Sequence, residues 1–308
     1  MKEHISVMLK ETLAAIDDDK SDICVADATL GLGGHSAAIL ERYECAFVYG
    51  FDRDAAAREI ASLRLAPFAP RFEIIADNFR NISDLALRSD FHGADFVLFD
   101  LGVSNMQLTE GERGFSFQIN GPLDMRMESG EEAIGVNAAD ILANADVSRL
   151  TKIFRDYGEE RNAFQIAKGI VRYREYGGTL NTTGELVALV RKILPEPLQR
   201  KMGGHPARKI FQALRIAVND EINALDEALD GALKILKPKG KIVVISYHSL
   251  EEKMTKLHFR RWRDEKKGEI TPKKPILPTE DEVAENYKAR SAKMMIFRKY
   301  ECEENSGI

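Results

Sequence analysis

The sequence predicts an open α/β sheet interrupted, after its fourth strand, by an all-helical insert. Three observations predict it. Residues 23–40 read as strand, glycine turn and helix; strand and helix patterns then alternate through residue 99; and helical patterns alone follow, over 137–194 and 211–236, before a strand pattern returns at 241–246. A strand that ends in a glycine turn and leads into a helix is the first unit of a doubly wound sheet, and such sheets bind ligands at the carboxyl ends of their strands.

The first segment, 4–16, carries Val7, Leu9, Leu13 and Ile16 on one helical stripe, and Asp17-Asp18-Asp19-Lys20 is a polar connection. Ile23-Cys24-Val25-Ala26 is short, apolar and partly β-branched, as a buried parallel strand requires. It ends at Asp27, and Gly31, Gly33 and Gly34 lead into a helix over about 35–42. The dinucleotide pattern G-x-G-x-x-G fails at its third position, which is Ser36, and no Gly-Lys-Ser/Thr follows, so both a pyrophosphate cradle and a P-loop are poorly supported.

Ala46 to Phe51 is the second strand. It ends at Asp52, 21 residues after Gly31, where a carboxylate accepts the hydroxyls of an adenosine ribose. A nucleoside ligand without a pyrophosphate points to S-adenosylmethionine. Residues 55–65 form a helix that Pro67 closes, and 71–76 a third strand running into Asp77-Asn78-Phe79-Arg80. Phe79 fits two readings, an adenine-stacking ring or a core side chain. Residues 82–87 read as a short helix, and 94–99 as the fourth strand, ending at Asp100.

The alternation then stops. Residues 107–127 read as a non-periodic, glycine-containing loop, with Phe115 and Phe117 one residue apart and Arg113 and Arg126 nearby. The two rings fit either a pocket for a flat base or a cap on the core. The helical insert follows, its polar faces carrying Arg149, Lys152 and Arg155 among other cations. Thr182-Thr183-Gly184-Glu185 has capping-box spacing. Phe211 to Leu236 reads as one long amphipathic helix, 241–246 as the fifth strand, and the helix after it runs to about Asp264. Residues 266–290 read as a Lys/Pro-rich surface loop and 291–300 as a last strand. His248, just after the fifth strand, fits either a general base or a residue that orders that corner.

Composition narrows the partners. The net charge is −5, but residues 1–148 carry 12 basic and 26 acidic side chains, whereas 149–248 carry 18 and 11 and 249–300 carry 14 and 9. An acidic cofactor half joined to a basic remainder suits an anionic polymer substrate. There is no apolar run of membrane-spanning length, which argues against a membrane protein, and the start lacks a signal-peptide pattern. Cys24, Cys45 and Cys302 lie far apart without C-x-x-C, which fits a reducing cytoplasm and gives no metal cluster. The oligomeric state, monomer or homodimer, stays open.

These motifs, in this order, resemble the RsmH (MraW) family of 16S ribosomal RNA cytidine-N4 methyltransferases. The resemblance rests on His4-x-x-Val7-x-Leu9, DATLGLGGHS at 27–36, GFDRD at 50–54, DNFR at 77–80, DLGVS at 100–104 and RGFSFQINGPLDMRM at 113–127. It continues through YGEER at 157–161, HPARKIFQALRIAVNDE at 205–221, ISYHSLE at 245–251 and ARSAK at 289–293. It implies a Rossmann-like class I S-adenosylmethionine-dependent methyltransferase sheet made from residues 1–106 and 206–308, with 107–205 as an inserted helical substrate-recognition domain. It further implies Gly33, Gly34 and His35 at the methionine end of the cofactor, Asp52 on the ribose, Phe79 at the adenine, and Asp100 and Gln107 beside the reacting group. The implied substrate is a cytidine in the decoding (P-site) region of 16S rRNA in the small ribosomal subunit. Two segments depart from the family pattern: Ser104-Asn105-Met106-Gln107 stands for the usual Ser-Ser-Pro-Gln, and Asn286-Tyr287-Lys288 for Asn-Pro-Arg.

For methylation of an amine, Asp100 is the candidate proton acceptor and Asp124 a weaker candidate. Phe115, Phe117 and Arg126 are candidates to hold the base, and Arg149, Lys152 and Arg155 the phosphates. Three other classes compete. A methyltransferase with a protein or small-molecule target is disfavoured by the basic insert, and a nicotinamide oxidoreductase by the missing third glycine. A non-catalytic RNA-binding protein predicts a broken cofactor site, whereas Gly33, Gly34, Asp52 and Asp100 are all present.

Overall fold

A computed structural model describes residues 6–17 and 22–301. His4 of the opening motif, most of the 17–20 connection and Cys302 lie outside the described residues. In chain order the first elements are α1 (Leu9–Ala15), β1 (Cys24–Asp27), α2 (Gly34–Arg42), β2 (Phe47–Phe51), α3 (Ala55–Leu65), β3 (Phe72–Ile75) and β4 (Ala94–Asp100). The helices α4 (Asn105–Thr109), α5 (Ala138–Asn144), α6 (Val147–Asp156), α7 (Ala163–Glu175), α8 (Thr183–Ile193), α9 (Glu196–Lys201) and α10 (Arg208–Asn219) follow. The chain closes with α11 (Glu221–Ile235), β5 (Leu236–Ser246), α12 (Ser249–Asp264), β6 (Gly268–Ile270), α13 (Glu280–Glu285) and β7 (Lys293–Lys299). Contacts divide it into two compact units, residues 1–102 with 222–308, and residues 103–221.

The first unit is built on one seven-stranded sheet in the order β3-β2-β1-β4-β5-β7-β6. Strands β1 to β5 pair in parallel, and β7 runs antiparallel to both β5 and β6. Both faces of the sheet are covered, so successive residues of one strand enter different cores. Val97, Phe99, Ile242 and Val244 join one core with Leu225, Leu229, Phe259 and Trp262. Phe96, Leu98, Val243 and Ile245 join the other with Ile39, Leu40, Ala61 and Leu65. From β1 the chain steps outward to β2 and β3 and then returns to the other side of β1 with β4. That reversal makes a crevice at the carboxyl ends of β1 and β4, bounded by Asp27 and Asp100. This is the doubly wound Rossmann-like sheet expected from the sequence, with one strand more. The supposed surface loop at 266–290 contributes β6, which pairs with β7, and the short helix α13.

The second unit has its own apolar core, drawn from Phe115, Leu123 and Met125 and from α5, α6, α7, α8 and α10. Three expectations change here. The helix read as continuous from Phe211 to Leu236 breaks at Asp220, whose φ of 51° is left-handed and closes α10. Asp and Asn adopt that conformation more readily than most residues do. Because α10 buries Ile210, Phe211, Ala213 and Leu214 in the helical core, the second unit runs on to Glu221 instead of stopping at 205. The stretch at 107–127 is also more ordered than a loop. Ser104 and Gln107 cap α4 reciprocally, and Gly121 and Leu123 bond to the segment that opens α8.

Asn219 fastens that segment to α10. Its Nδ2 donates to the carbonyls of Met125 (2.7 Å) and Arg215 (2.9 Å), and its Oδ1 accepts from Met127 N (2.8 Å). Truncation strands buried polar groups, each costing about 1–3 kcal/mol. Asn219→Ala is therefore expected to lower the urea midpoint and the stability by about 2 kcal/mol or more, measured by far-UV circular dichroism.

Candidate active site

The site in the first unit is built around three carboxylates, one at each end of β1, β2 and β4. Asp27 is almost fully buried, at 1% exposure. It accepts from Ser36 Oγ at 2.6 Å and from Thr29 N at 3.1 Å, which ties the end of β1 to the first turn of α2. The intervening turn is stitched to both neighbouring strands, since Ala28 N donates to Leu98 O and Leu30 N to Phe51 O, each at 2.9 Å.

Asp52 follows β2. Its Oδ2 accepts from Gly31 N and its Oδ1 from Asp54 N, both at 2.8 Å. Burial pushes its carboxyl up to about 7, against the bond from Asp54 N. Each oxygen retains a lone pair, so two further hydroxyl donors can be accepted. Gly31 has a positive φ of 52°, and a Cβ placed there would meet only Thr29 O, at 3.9 Å. The backbone at Gly31 is thus open to a ligand. Gly33 and Gly34 are needed for different reasons: Gly33 takes a left-handed φ of 74° to open α2, and a Cβ on Gly34 would fall 2.2 Å from Ser6 Oγ. Phe79 is half-buried and meets Phe99 edge to face at 6.0 Å, so it borders the core without being sunk in it.

Asp100 ends β4 and keeps 22% of its side chain accessible. Its backbone N–H donates to Thr29 Oγ1 at 2.6 Å, fixing the corner against the turn after β1. Tyr247, just past β5, donates its hydroxyl to Asp100 Oδ1 at 2.6 Å. Buried His35 donates Nε2–H to Val7 O at 3.0 Å, so its bare Nδ1 is the atom that lies 3.8 Å from Asp100 Oδ2. Burial holds His35 below its usual pKa. Burial raises Asp100 to about 7, opposed by the Tyr247 hydrogen bond and by the charge of Lys288. Lys288 is itself lowered to about 8 by burial, with Asp100 working the other way. A carboxylate that titrates near neutrality, held at one oxygen and accessible to a ligand, can act as a proton acceptor.

Tyr247, Lys288, Thr29 and Asp27 are absent from the residues singled out in the sequence. Tyr247 and Lys288 do lie in segments that carry the family resemblance or depart from it, ISYHSLE and the altered Asn-Tyr-Lys. His248 caps α12, with Nδ1 accepting from Glu251 N, while Glu251 takes the backbone N–H of Tyr247 and His248. Those bonds give it the ordering role.

The candidates in the second unit are placed as follows. Gln107 is buried and its Oε1 accepts from Ser104 N at 3.0 Å. Asp124 takes Arg126 Nε on one oxygen and Nη2 on the other, at 2.9 and 2.6 Å. Burial works to raise the Asp124 carboxyl, and the Arg126 bonds and charge outweigh it, leaving it below its usual value. Arg126 also donates to the carbonyl of Ala133, so its guanidinium is turned to its own loop. Phe115 is a core side chain at 6% exposure, because Leu123, Met125 and the insert helices enclose it. Phe117 is half-buried and stacks on His205, with ring centres 4.7 Å apart and 16° between planes. Arg149, Lys152 and Arg155 project from one side of α6 into solvent, with Arg155 paired to Asp156.

The sequence profile described as the MraW methylase family matches residues 1–300. The chain belongs to the MraW methylase family. It is 41% identical over 309 aligned residues, 94% of this chain and 96% of the relative, to the ribosomal RNA small subunit methyltransferase H of Carboxydothermus hydrogenoformans. Among solved structures, an rRNA methylase from Streptococcus thermophilus covers 96% of this chain and 95% of its own at 14% identity, with a TM-score of 0.43. A methyltransferase of Streptococcus mutans solved in complex with SAH covers 96% and 99% at 11% identity, with a TM-score of 0.44. Likeness at that level places no residue. Among the described residues no helix is long and apolar enough to cross a membrane.

The residues of this MraW methylase fit S-adenosylmethionine. The open face at Gly31 admits a ligand against the backbone, and the spare lone pairs of Asp52 match two vicinal hydroxyls. Those hydroxyls are accepted well only by the ionised carboxylate. Affinity for S-adenosylmethionine is therefore expected to be full above pH 7 and to fall as pH drops through about 7. Asp52→Asn should weaken binding at high pH and flatten the dependence. Titration calorimetry of both proteins across that range checks it.

Proposed function

We propose that the protein transfers a methyl group from S-adenosylmethionine to the exocyclic N4 of a cytidine in the decoding region of 16S rRNA, acting on the small ribosomal subunit in the cytoplasm. The observation that carries this reading is the 41% identity, along 94% of the chain, to a protein named ribosomal RNA small subunit methyltransferase H. Methylation of small-subunit rRNA follows from that likeness; the cytidine and its position follow from the motif resemblance.

When bound, S-adenosylmethionine supplies a methyl group activated on a sulfonium. Asp52 would hold the ribose, Phe79 would border the adenine, and the start of α2 at Gly33, Gly34 and His35 would face the methionine end. The amine of cytosine is a weak nucleophile because its lone pair is delocalised into the ring. Asp100 supplies an acceptor for one of its hydrogens, which localises that lone pair. As the N–C bond forms, the methyl carbon's bond to sulfur would break and leave a neutral thioether, and the proton the amine sheds would pass to Asp100 Oδ2, the oxygen that Tyr247 leaves free. A carboxyl at about 7 is matched to that task at neutral pH. Asp124, doubly bonded to Arg126 and held below its ordinary pKa, is the poorer base.

In the second unit, Phe117 remains the ring suited to a flat base, and Arg149, Lys152 and Arg155 present charge to phosphates. Gln107, fixed by its capping bonds, holds the start of α4 in shape.

The test is transfer of label from S-adenosylmethionine to intact small subunits and to naked 16S rRNA, followed by nucleoside mapping. The expected result is N4-methylcytidine at a single decoding-region position. Label in another nucleoside, or in ribosomal protein, contradicts the reading.

A further inference from the structure

Helix α7 carries an exposed row that its packing does not explain. Its buried side is complete, with Ala163, Ile166, Ala167 and Ile170 in the core of the second unit. On the opposite side Phe164 is 61% exposed and Tyr176, at the helix end, 80% exposed. Lys168 and Arg172, both exposed, occupy the positions between them, so the row reads Phe164, Lys168, Arg172, Tyr176 at steps of four. Tyr176 keeps the helical spacing because its N–H still bonds to Arg172 O, at 3.2 Å.

Residues four apart are neighbours on a helix surface, and three such steps span about 18 Å. The Arg172 guanidinium lies over the Tyr176 ring, 5.7 Å from its centre. Arg174 is turned inward, donating to Leu142 O and Ala145 O, and is not part of the row. Glu175 is the one acid in α7. A single exposed ring on a protein surface is ordinary. Two rings bracketing two cations in one row are a stacking platform with charge for the backbone between, the combination that binds single-stranded nucleic acid.

We infer that this exposed face of α7, from Phe164 through Lys168 and Arg172 to Tyr176, docks a single-stranded segment of the substrate RNA, with bases on the two rings and phosphates on the two cations. The inference rests on the small-subunit rRNA reading above. Charge selects the occupant: the row carries Lys168 and Arg172 and no acid, which favours a polyanion over a basic protein surface.

The test uses the full-length chain with naked 16S rRNA and with intact small subunits, measured over a range of salt. The variants are Phe164→Ala with Tyr176→Ala, and Lys168→Gln with Arg172→Gln. All four side chains are exposed, so the fold should survive, and affinity for S-adenosylmethionine should not change. The ring pair is expected to weaken binding to naked rRNA by tenfold or more at an unchanged salt slope. The cation pair should weaken it and flatten the slope of log affinity against log salt by roughly one to two. Wild-type affinity for naked rRNA in both variants overturns the inference. So does a loss confined to intact subunits, because the face would then dock a ribosomal protein. Failure of the wild type to methylate either substrate would instead count against the small-subunit rRNA reading, which the affinity measurements do not depend on.

Discussion

The buried carboxylate of Asp27 is the anchor of the catalytic unit. By accepting from both Ser36 Oγ and Thr29 N, it fixes the first turn of α2 relative to the end of β1. Everything between those two points inherits its position from that grip. Thr29 is placed so that its hydroxyl accepts the N–H of Asp100, and Gly31 so that its own N–H reaches Asp52. The ends of β2 and β4 are therefore set by one buried group at the end of the strand between them. Because the strand order reverses between β1 and β4, the crevice opens where those bonds converge.

Confining three carboxylates to this crevice has an electrostatic cost, and burial raises the pKa of all three. The chain meets the cost with neutral donors: a serine hydroxyl, backbone N–H groups and a tyrosine hydroxyl. The charge of Arg58 also lowers Asp52, and that of Lys288, partly desolvated itself, lowers Asp100. The result is a site with negative character and two carboxyls poised near neutrality, suited to a sulfonium cofactor and to taking up a proton. A lysine closer in, paired directly with Asp100, would hold that carboxyl ionised and remove its basicity.

Much of this was readable in the sequence, and the parts that were not share a cause. The apolar strand runs and their terminal aspartates specify the sheet and two of its three carboxylates, because strand ends and turn glycines are local features. Tyr247 depends on register. Pairing of Asp100 with Ile245 puts the residue two beyond Ile245 within reach of the carboxylate, and no single strand reveals its partner's register. Spacing shows that Gly33 and Gly34 are glycines but not that their missing Cβ atoms face Ala61 and Ser6. Phe115 and Phe117 are alike in sequence, yet one lies in the helical core and the other stacks on His205. The break at Asp220 was hidden because apolar periodicity continues through it.

The central claim is that Asp100, oriented by Tyr247, accepts the proton. The most direct measurement is the pH–rate profile of methyl transfer at saturating cofactor and small subunits, for the wild type and for Tyr247→Phe. The wild type should lose rate as pH falls through about 7, where the carboxylate protonates. The hydrogen bond favours the ionised form, so its removal should move that limb to higher pH with little change in cofactor affinity. Superimposable profiles, or a wild-type rate that stays constant well below pH 7, would contradict the assignment.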